Sequence, residues 1–585
     1  MARVRIESPR YTSSGGAFFG HYFVVVLIWS LLLLRYLWTI RVPWFKDDFL
    51  LVQLASRQNF FDIWSFDDAI GNAYRPVARS LYFWLGLRLF NYRFELYHVA
   101  NLLIAMAGVA YLYLLSKSLF NCGSREADDH GSGPAFACAL LYVVHPAIAT
   151  PLTWICGIQD LLMATLSLAA IYYHAKGRQV LYVVLFVAAL LSKEQVALLP
   201  SVVFLYDMKV KRIDARRALQ FQIVPLCILL LWSILNPWLP WNRTVPAHIE
   251  GQPIGFVHLD PAILAFRCIF AAEPVQGFDW IYKGYQTLLM MVVLALAALV
   301  NWKSTWPKRR CGRLSWIALA WTASGILPLL AINSCFVYYA YYPAIGAIIA
   351  FVALLVSLGN SAGARILRTL SIGVASLYLT MAVGNVHTLS QHDVHSIRRA
   401  SKYLVAMKAD LQRMHPVLPP GARCFFWNVP EHIGLIVGEG SAMATWYQDN
   451  SIEGKLLGQY STEHSRQSFF FLHDQDGHLL EIIPGSGQRT SDIGQTKYAD
   501  GYSDVGACFA KAGELDAAKV EFQKALAIMP SHPMANAGLG IAMTQSGHYL
   551  EAIPILERAM RLSPSNQGVA VNLQIARMHT QSDAR

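Results

Sequence analysis

Two adjacent carboxylates open the chemistry of this chain. They lie in Trp44-Phe45-Lys46-Asp47-Asp48-Phe49, between aromatic residues. Paired carboxylates suit general-base work or cation binding, because close like charges raise one pKa and make that group a better base. The ordinary alternative is a solvated or helix-capping carboxylate, and the same dipeptide recurs at Asp67-Asp68 and Asp128-Asp129. Tyr74-Arg75-Pro76 follows in the same loop, before an amphipathic stretch over 77–90. An arginine held by the next proline can clamp a phosphate through two N–H groups, unless it only snorkels to the surface. His98 and Asn101 then enter an apolar run, where polar groups are costly and point to a polar cavity or to bonds between helices. Further along come His145-Pro146, the Gln159-Asp160 pair, Leu191-Ser192-Lys193-Glu194-Gln195 and Tyr338-Tyr339-Ala340-Tyr341-Tyr342-Pro343. The tyrosines also read as an interface belt. The nine cysteines are scattered singly, with no Cys-x-x-Cys and no Cys/His cluster, which argues against structural zinc and redox chemistry. Asp47 and Asp48 could hold a divalent cation, but no cluster demands one.

The elements that must carry these residues are membrane helices. Of 585 residues, 55% are hydrophobic and only 15% charged. The mean hydropathy is +0.37. A soluble chain carries about 25% charged residues, so a purely cytosolic enzyme and a disordered chain are both excluded. Apolar runs near the length of a bilayer crossing appear at 17–40, 95–120, 135–153, 158–175, 179–193, 195–208, 220–238, 284–301, 314–332, 337–358 and 369–387, about eleven spans. The first run is too long for a signal peptide and follows Arg3, Arg5 and Arg10, so its N-terminus reads as cytoplasmic. The even-numbered loops hold Lys176, Lys209, Lys211, Lys308, Arg309 and Arg365 among others, as the positive-inside rule asks. The net charge of +11 is therefore mostly a topology signal, and nucleic-acid binding is not expected. Residues 41–94 depart from the rule: this external loop carries Arg41, Lys46, Arg57, Arg75, Arg79, Arg88 and Arg93. Unexplained positive charge beside the Asp pair fits an anionic, phosphate-bearing substrate. On this topology these polar motifs reach one external rim, except Asp128-Asp129, which falls on the cytoplasmic side.

Charge and glycine rise after residue 388. A helix is expected over 391–414, then breaks at Pro416, Pro419, Pro420 and Gly421, then a small α/β module to 497. Within it, FLHDQDGHLLEI at 471–482 carries a hairpin signal. From 498 to 585 the chain repeats itself at a spacing of 34. Tyr502, Gly506, Gly513, Ala518, Phe522 and Ala525 recur as Asn536, Gly540, Gly547, Ala552, Leu556 and Ala559. That period is the tetratricopeptide one. Two repeats and a capping helix over 567–580 are near the minimum for a solenoid, so these helices are expected to lean on a neighbour. Such a surface docks a protein partner or is a structural appendage.

The order of the motifs carries a resemblance. Asp-Asp, then YRP, YHxxN, HP, Gly-x-x-Asp, LSKEQ, Leu-Pro-Leu-Leu at 327–330 and YYPAIG at 341–346 resemble the transmembrane and tetratricopeptide-repeat-containing O-mannosyltransferases, and more broadly the GT-C glycosyltransferases. The resemblance covers roughly residues 17–360 and departs at four places. An arginine of the family is Gln159 here, a Glu-Arg pair is Tyr339-Ala340, the repeats are far fewer, and an extra module sits between membrane and repeats. It implies a polytopic all-α membrane domain at 1–387, the external module at 388–497 and the repeats at 498–585. It implies transfer of a sugar from a polyprenyl-phosphate donor, with inversion, to a protein hydroxyl or a glycan or lipid acceptor. Asp47 or Asp48 would be the base, with a slight preference for Asp48 that spacing does not decide. Arg75, helped by Lys193 or His98, would meet the departing phosphate, and Asn101, His145, Asp160 and Glu194 would complete the substrate site. The small repeat number suggests a bacterial inner-membrane relative with its C-terminal part in the periplasm. The opposing expectation is a non-catalytic anchor that presents an adaptor domain, for which the departures speak.

Overall fold

The computed structural model describes residues 15–66, 73–121, 131–237, 239, 308–331, 337–359, 394, 396–430, 440–461, 468–473, 478–484 and 495–582. The expected spans at 284–301 and 369–387, and the pairs Asp67-Asp68 and Asp128-Asp129, lie outside them. The chain divides into two compact units. One holds Met1–Trp44 and Leu54–Arg398, the other Phe45–Gln53 and Arg399–Arg585.

The first unit is helical. In chain order its helices are α1 (Gly15–Tyr36), α2 (Asp47–Arg57, whose first half belongs to the second unit), α3 (Tyr82–Phe90), α4 (Phe94–Asn121) and α5 (Ser132–Val144). They continue with α6 (Ala149–Thr153), α7 (Ile158–Ala175), α8 (Gln179–Leu190), α9 (Leu199–Lys209), α10 (Ala215–Leu235), α11 (Lys308–Ile326) and α12 (Tyr341–Gly359). Among the described residues, four helices are long and apolar enough to cross a membrane: Tyr22–Arg41, Phe94–Asn121, Ile155–Ala175 and Ala215–Leu235. The chain is thus an integral membrane protein. α1 and α10 turn large apolar side chains such as Phe23, Leu34, Leu230 and Ile234 outward, as lipid-facing helices do. α7 is the buried one, packed between α4 and α8.

The expected span at 135–153 is not one helix. α5 and the segment Pro146–Thr153 meet at 58°. His145 is extended (φ −64°, ψ 133°), because a residue that precedes proline is driven out of the helical region. Its Nδ1 accepts the N–H of Ala147 at 3.2 Å and so caps the next turn. Residues 195–208 likewise resolve into a 3-10 turn at Glu194–Val196 and the eleven-residue α9.

The second unit combines a sheet with helices. The strands β1 (Arg423–Trp427), β2 (Glu453–Leu456), β3 (Ser468–His473) and β4 (Leu479–Ile482) lie in the order β2-β1-β3-β4. β1 runs parallel to β2 and β3, and β4 pairs antiparallel to β3 with Phe470 opposite Ile482. Phe425 and Phe426 stack on Phe470 and Phe471 across the strands. Helices at Gln495–Lys511, Leu515–Ile528, Pro533–Gln545, Tyr549–Leu562 and Gln567–Ser582 follow, each packed on the next. The spacing of 34 has a direct structural meaning. Gly506 faces the ring of Phe522 and Gly540 faces Leu556, where a Cβ would come within 3.0 and 2.5 Å. Gly513 and Gly547 turn the chain between helices at φ 86° and 81°, a region that favours glycine. One core joins Phe470, Leu472 and Ile482 of the sheet to Tyr502, Val505 and Phe509 of the first of these helices. These helices therefore lean on the sheet.

Candidate functional site

Polar residues of the first unit converge where α7, α8 and the 3-10 turn after α8 meet the loop before α3. The loop is tied down by Val77 N–H, which donates to the carbonyl of Leu191 at 3.2 Å. This brings the YRP motif to the LSKEQ motif. Arg75 then donates through Nε to Glu194 Oε2 at 2.8 Å and through Nη2 to Glu194 Oε1, a two-pronged ion pair. Its Nη1 donates to Gln159 Oε1 at 2.5 Å. The same Gln159 oxygen accepts Nε of Arg79 at 3.2 Å. Arg79 is buried and sits on a single π-turn, Val77–Leu81, and its backbone N–H donates to the carbonyl of Arg75 just before that turn at 2.9 Å. The Gln159 amide nitrogen donates to the carbonyl of Cys156 at 3.1 Å, which fixes which way the oxygen points.

One helical step beyond, Asp160 accepts from Lys193 Nζ at 2.5 Å, and both are buried. The Lys193 ammonium lies 4.3 Å from the Tyr339 ring and 5.1 Å from that of Tyr338. Gln195 donates to the carbonyls of Gly325 and Tyr339 at 2.7 and 2.9 Å, joining this cluster to the ends of α11 and α12. Partial burial pushes the Glu194 carboxyl up, but the Arg75 guanidinium outweighs it and holds the group down at about 2. Glu194 is therefore ionised at any ordinary pH.

The other expected site residues make contacts of their own. His98 Nε2 lies 2.9 Å from the Val42 carbonyl. Asn101 accepts the Tyr82 hydroxyl at 2.6 Å and donates to the Ile155 carbonyl at 3.1 Å. His145 caps the turn after α5. These contacts fasten the loop and α4 to their neighbours. Asp47 and Asp48 belong to the second unit. They open α2 after Lys46, whose φ is 48°. Asp48 is buried, and its Oδ2 accepts the N–H of Phe45 at 2.9 Å, a helix-capping role. The next turn packs Phe49 edge-on against Trp446. Among the described residues no three His, Cys, Asp or Glu side chains converge as a metal site, so a cation at the Asp pair would have no third such ligand there.

Sequence reasoning named Arg75, Asp160, Lys193 and Glu194, and the structure brings these four together. It named Arg79 only among the cations of the loop and Gln195 only within the LSKEQ motif, and treated Gln159 mainly as a departure. The available signal for Arg79 was its place on the amphipathic stretch over 77–90, four residues after Arg75.

No family model matches the sequence. A stretch of 150 residues is 33% identical to Protein O-mannosyl-transferase F38B6.6 of Caenorhabditis elegans; it makes up 25% of this chain and 20% of that protein. The chain thus matches about a fifth of the length of this curated relative, which has the O-mannosyltransferase character that the motif order resembles. Among solved structures, ArnT from Cupriavidus metallidurans bound to undecaprenyl phosphate aligns at TM-score 0.38 and 12% identity, over 75% of this chain and 86% of ArnT. Its apo state aligns at TM-score 0.37 and 14% identity, over 74% and 85%. Likenesses this loose carry no argument about the fold.

Proposed function

We propose that this chain is an integral membrane glycosyltransferase of the GT-C type, which moves a sugar from a polyprenyl-phosphate donor to a protein hydroxyl on the external side. The observation that carries the reading is the partly buried arginine cluster: Arg75 held by Glu194 and Gln159, with Arg79 on the same Gln159 oxygen. Beside it the Lys193–Asp160 pair adds a second cation. Preorganised cations of this kind stabilise negative charge as it develops on a leaving phosphate. The partial identity to an O-mannosyltransferase supports the same class.

The acceptor hydroxyl needs a base. Asp48 is buried with its Oδ2 on the Phe45 N–H, whereas Asp47 is only half-buried, so we assign the role to the more accessible Asp47, against the slight preference from spacing alone. Asp47 would take the hydroxyl proton as the acceptor oxygen attacks the anomeric carbon and the phosphate leaves in a single displacement, and the role expected of Arg75 is to stabilise the charge on that phosphate. No step needs a metal, although a divalent cation at the Asp pair would lower the cost of bringing two anions together. In this reading residues 498–585 are a tetratricopeptide solenoid that holds the protein acceptor or an assembly partner, the C-terminal part faces the periplasm, and the membrane is the bacterial inner membrane.

The test is transfer from radiolabelled polyprenyl-phosphate sugars by the purified protein, compared with Asp47→Asn, Asp48→Asn and Arg75→Ala. Loss of transfer in Asp47→Asn and Arg75→Ala is expected. No transfer by the parent protein to any acceptor across several donors would overturn the enzyme reading. Transfer that survives Asp47→Asn would overturn only the choice of base.

A further inference from the structure

Residues 58–66 form a locked turn in the loop between the first two candidate spans. Asn59 Oδ1 accepts the N–H groups of Phe61 and Asp62 at 2.8 and 3.1 Å, and Asp62 Oδ2 accepts the N–H of Asn59 at 2.9 Å. This reciprocal lock fixes the backbone and turns the aromatic side chains out. Phe61 is 82% exposed, and Phe60, Trp64 and Phe66 are exposed with it. The ring of Phe60 meets Phe61, Trp64 and Trp84 edge-on. Trp84 is on α3 and donates its indole N–H to the Gln58 carbonyl at 3.2 Å. The turn and α3 are therefore one body.

α3 is amphipathic. Its face with Phe83 and Gly86 is buried, while Leu85, Arg88 and Leu89 are exposed, Leu89 at 71%. Gly86 lets α3 press on the ring of Tyr97, where a Cβ would lie 2.3 Å from the ring. Tyr97 is in the first turn of α4, a helix of 28 residues that is apolar enough to cross a membrane. The apolar face of α3 and the aromatic turn thus sit where α4 enters the bilayer.

Single exposed apolar residues are ordinary, but a patch of large ones rimmed by charge marks an interaction surface. Its rim is cationic. Arg88 lies 3.6 Å over the Trp84 ring and donates to the Trp84 carbonyl at 3.0 Å, and Arg93 is exposed just beyond α3. Aromatic residues with arginines, on a helix that leads into a span, have the composition of the headgroup layer. We infer that residues 58–66 and the outer face of α3 are a membrane-interface anchor. Phe61, Trp64 and Leu89 enter the boundary between headgroups and acyl chains, and Arg88 and Arg93 meet the phosphates of anionic lipids. The anchor holds the loop that carries Arg75 at a set depth.

The test uses the full chain in liposomes of phosphatidylcholine and phosphatidylglycerol. The photo-crosslinker p-benzoylphenylalanine replaces Phe61, Leu89 or, as a control, the exposed Asp516 of the C-terminal helices. Phospholipid adducts at positions 61 and 89 at least about tenfold above position 516 are expected for side chains in the interface. Phosphatidylglycerol should be enriched in the adduct over its share of the liposome. Adducts to protein at 61 and 89, whether to a second copy or to another chain, would overturn the proposal, as would lipid adducts no higher than at 516. The readout needs no sugar transfer, so it stands or falls apart from the proposed function.

Discussion

Gln159 is the residue on which two arginines meet, Arg79 buried and Arg75 partly buried. Its oxygen accepts from both Arg75 and Arg79, and its nitrogen is committed to Cys156. Gln159→Leu keeps the volume and removes the acceptor. Each arginine loses one hydrogen bond from a charged donor, worth about 1.5–3 kcal/mol, so the variant is expected to melt several degrees lower. An unchanged melting temperature would show that the arginines find other acceptors. The Asp pair divides its labour in the same way. Asp47→Asn is expected to lower transfer by about 100-fold or more, the usual share of a general base, while the melting temperature stays. Asp48→Ala removes the cap on Phe45 N–H and is expected to cost about 1 kcal/mol of stability. The two carboxylates were legible as candidate chemistry because residue type is enough for that. Which one caps the helix was not legible, since it depends on the left-handed turn at Lys46 that aims them.

At the scale of elements, close approach decides. Gly86→Ala would push a methyl group into the Tyr97 ring and drive α3 from α4. Overpacking of this kind costs about 1–3 kcal/mol, and the expected result is a lower melting temperature with less lipid adduct at position 61. The helix Gln495–Lys511 gives a pH-dependent case. Burial and then Asp500 push the Asp504 carboxyl up to about 6, while His532 pulls it down. A raised pKa means that folding favours the protonated acid. The penalty is absent below about pH 4, grows through about pH 6 and is full above it. Asp504→Asn is therefore expected to raise the melting temperature of the C-terminal unit at about pH 8 and to leave it unchanged at about pH 4. Equal gains at both values would rule out this origin. The repeat spacing was legible from glycine and alanine alone, because small residues at fixed intervals are what close helix pairs require. The bend at His145 had a signal in Pro146, but hydropathy summed over 135–153 passes across it.

For the whole molecule the open quantity is topology. An odd number of spans puts the residues after 388 outside, and the basic loops agree with that count. A reporter that is active only outside the cytoplasm, fused after residue 390, is expected to be active. Activity of a cytoplasmic reporter there would move the whole C-terminal unit, and the proposed acceptor, to the other side of the membrane.

Sequence alone determined the membrane character, the spacing of 34 and the inventory of groups able to do chemistry. Each is a local or additive property: hydropathy sums along a helix, a repeat is read by comparing the chain with itself, and a carboxylate is one wherever it lies. Partnership is neither local nor additive. Arg75 meets Glu194 and Gln159 across 119 and 84 positions of chain, and which of the polar groups on the membrane helices face one another depends on how those helices are rotated and packed. The same holds for the first turns of α2. Their neighbours in sequence are membrane helices, yet their packing places them with the C-terminal unit. Only the tertiary structure could decide that, because burial of Phe49 against Trp446 is a contact between residues almost four hundred positions apart.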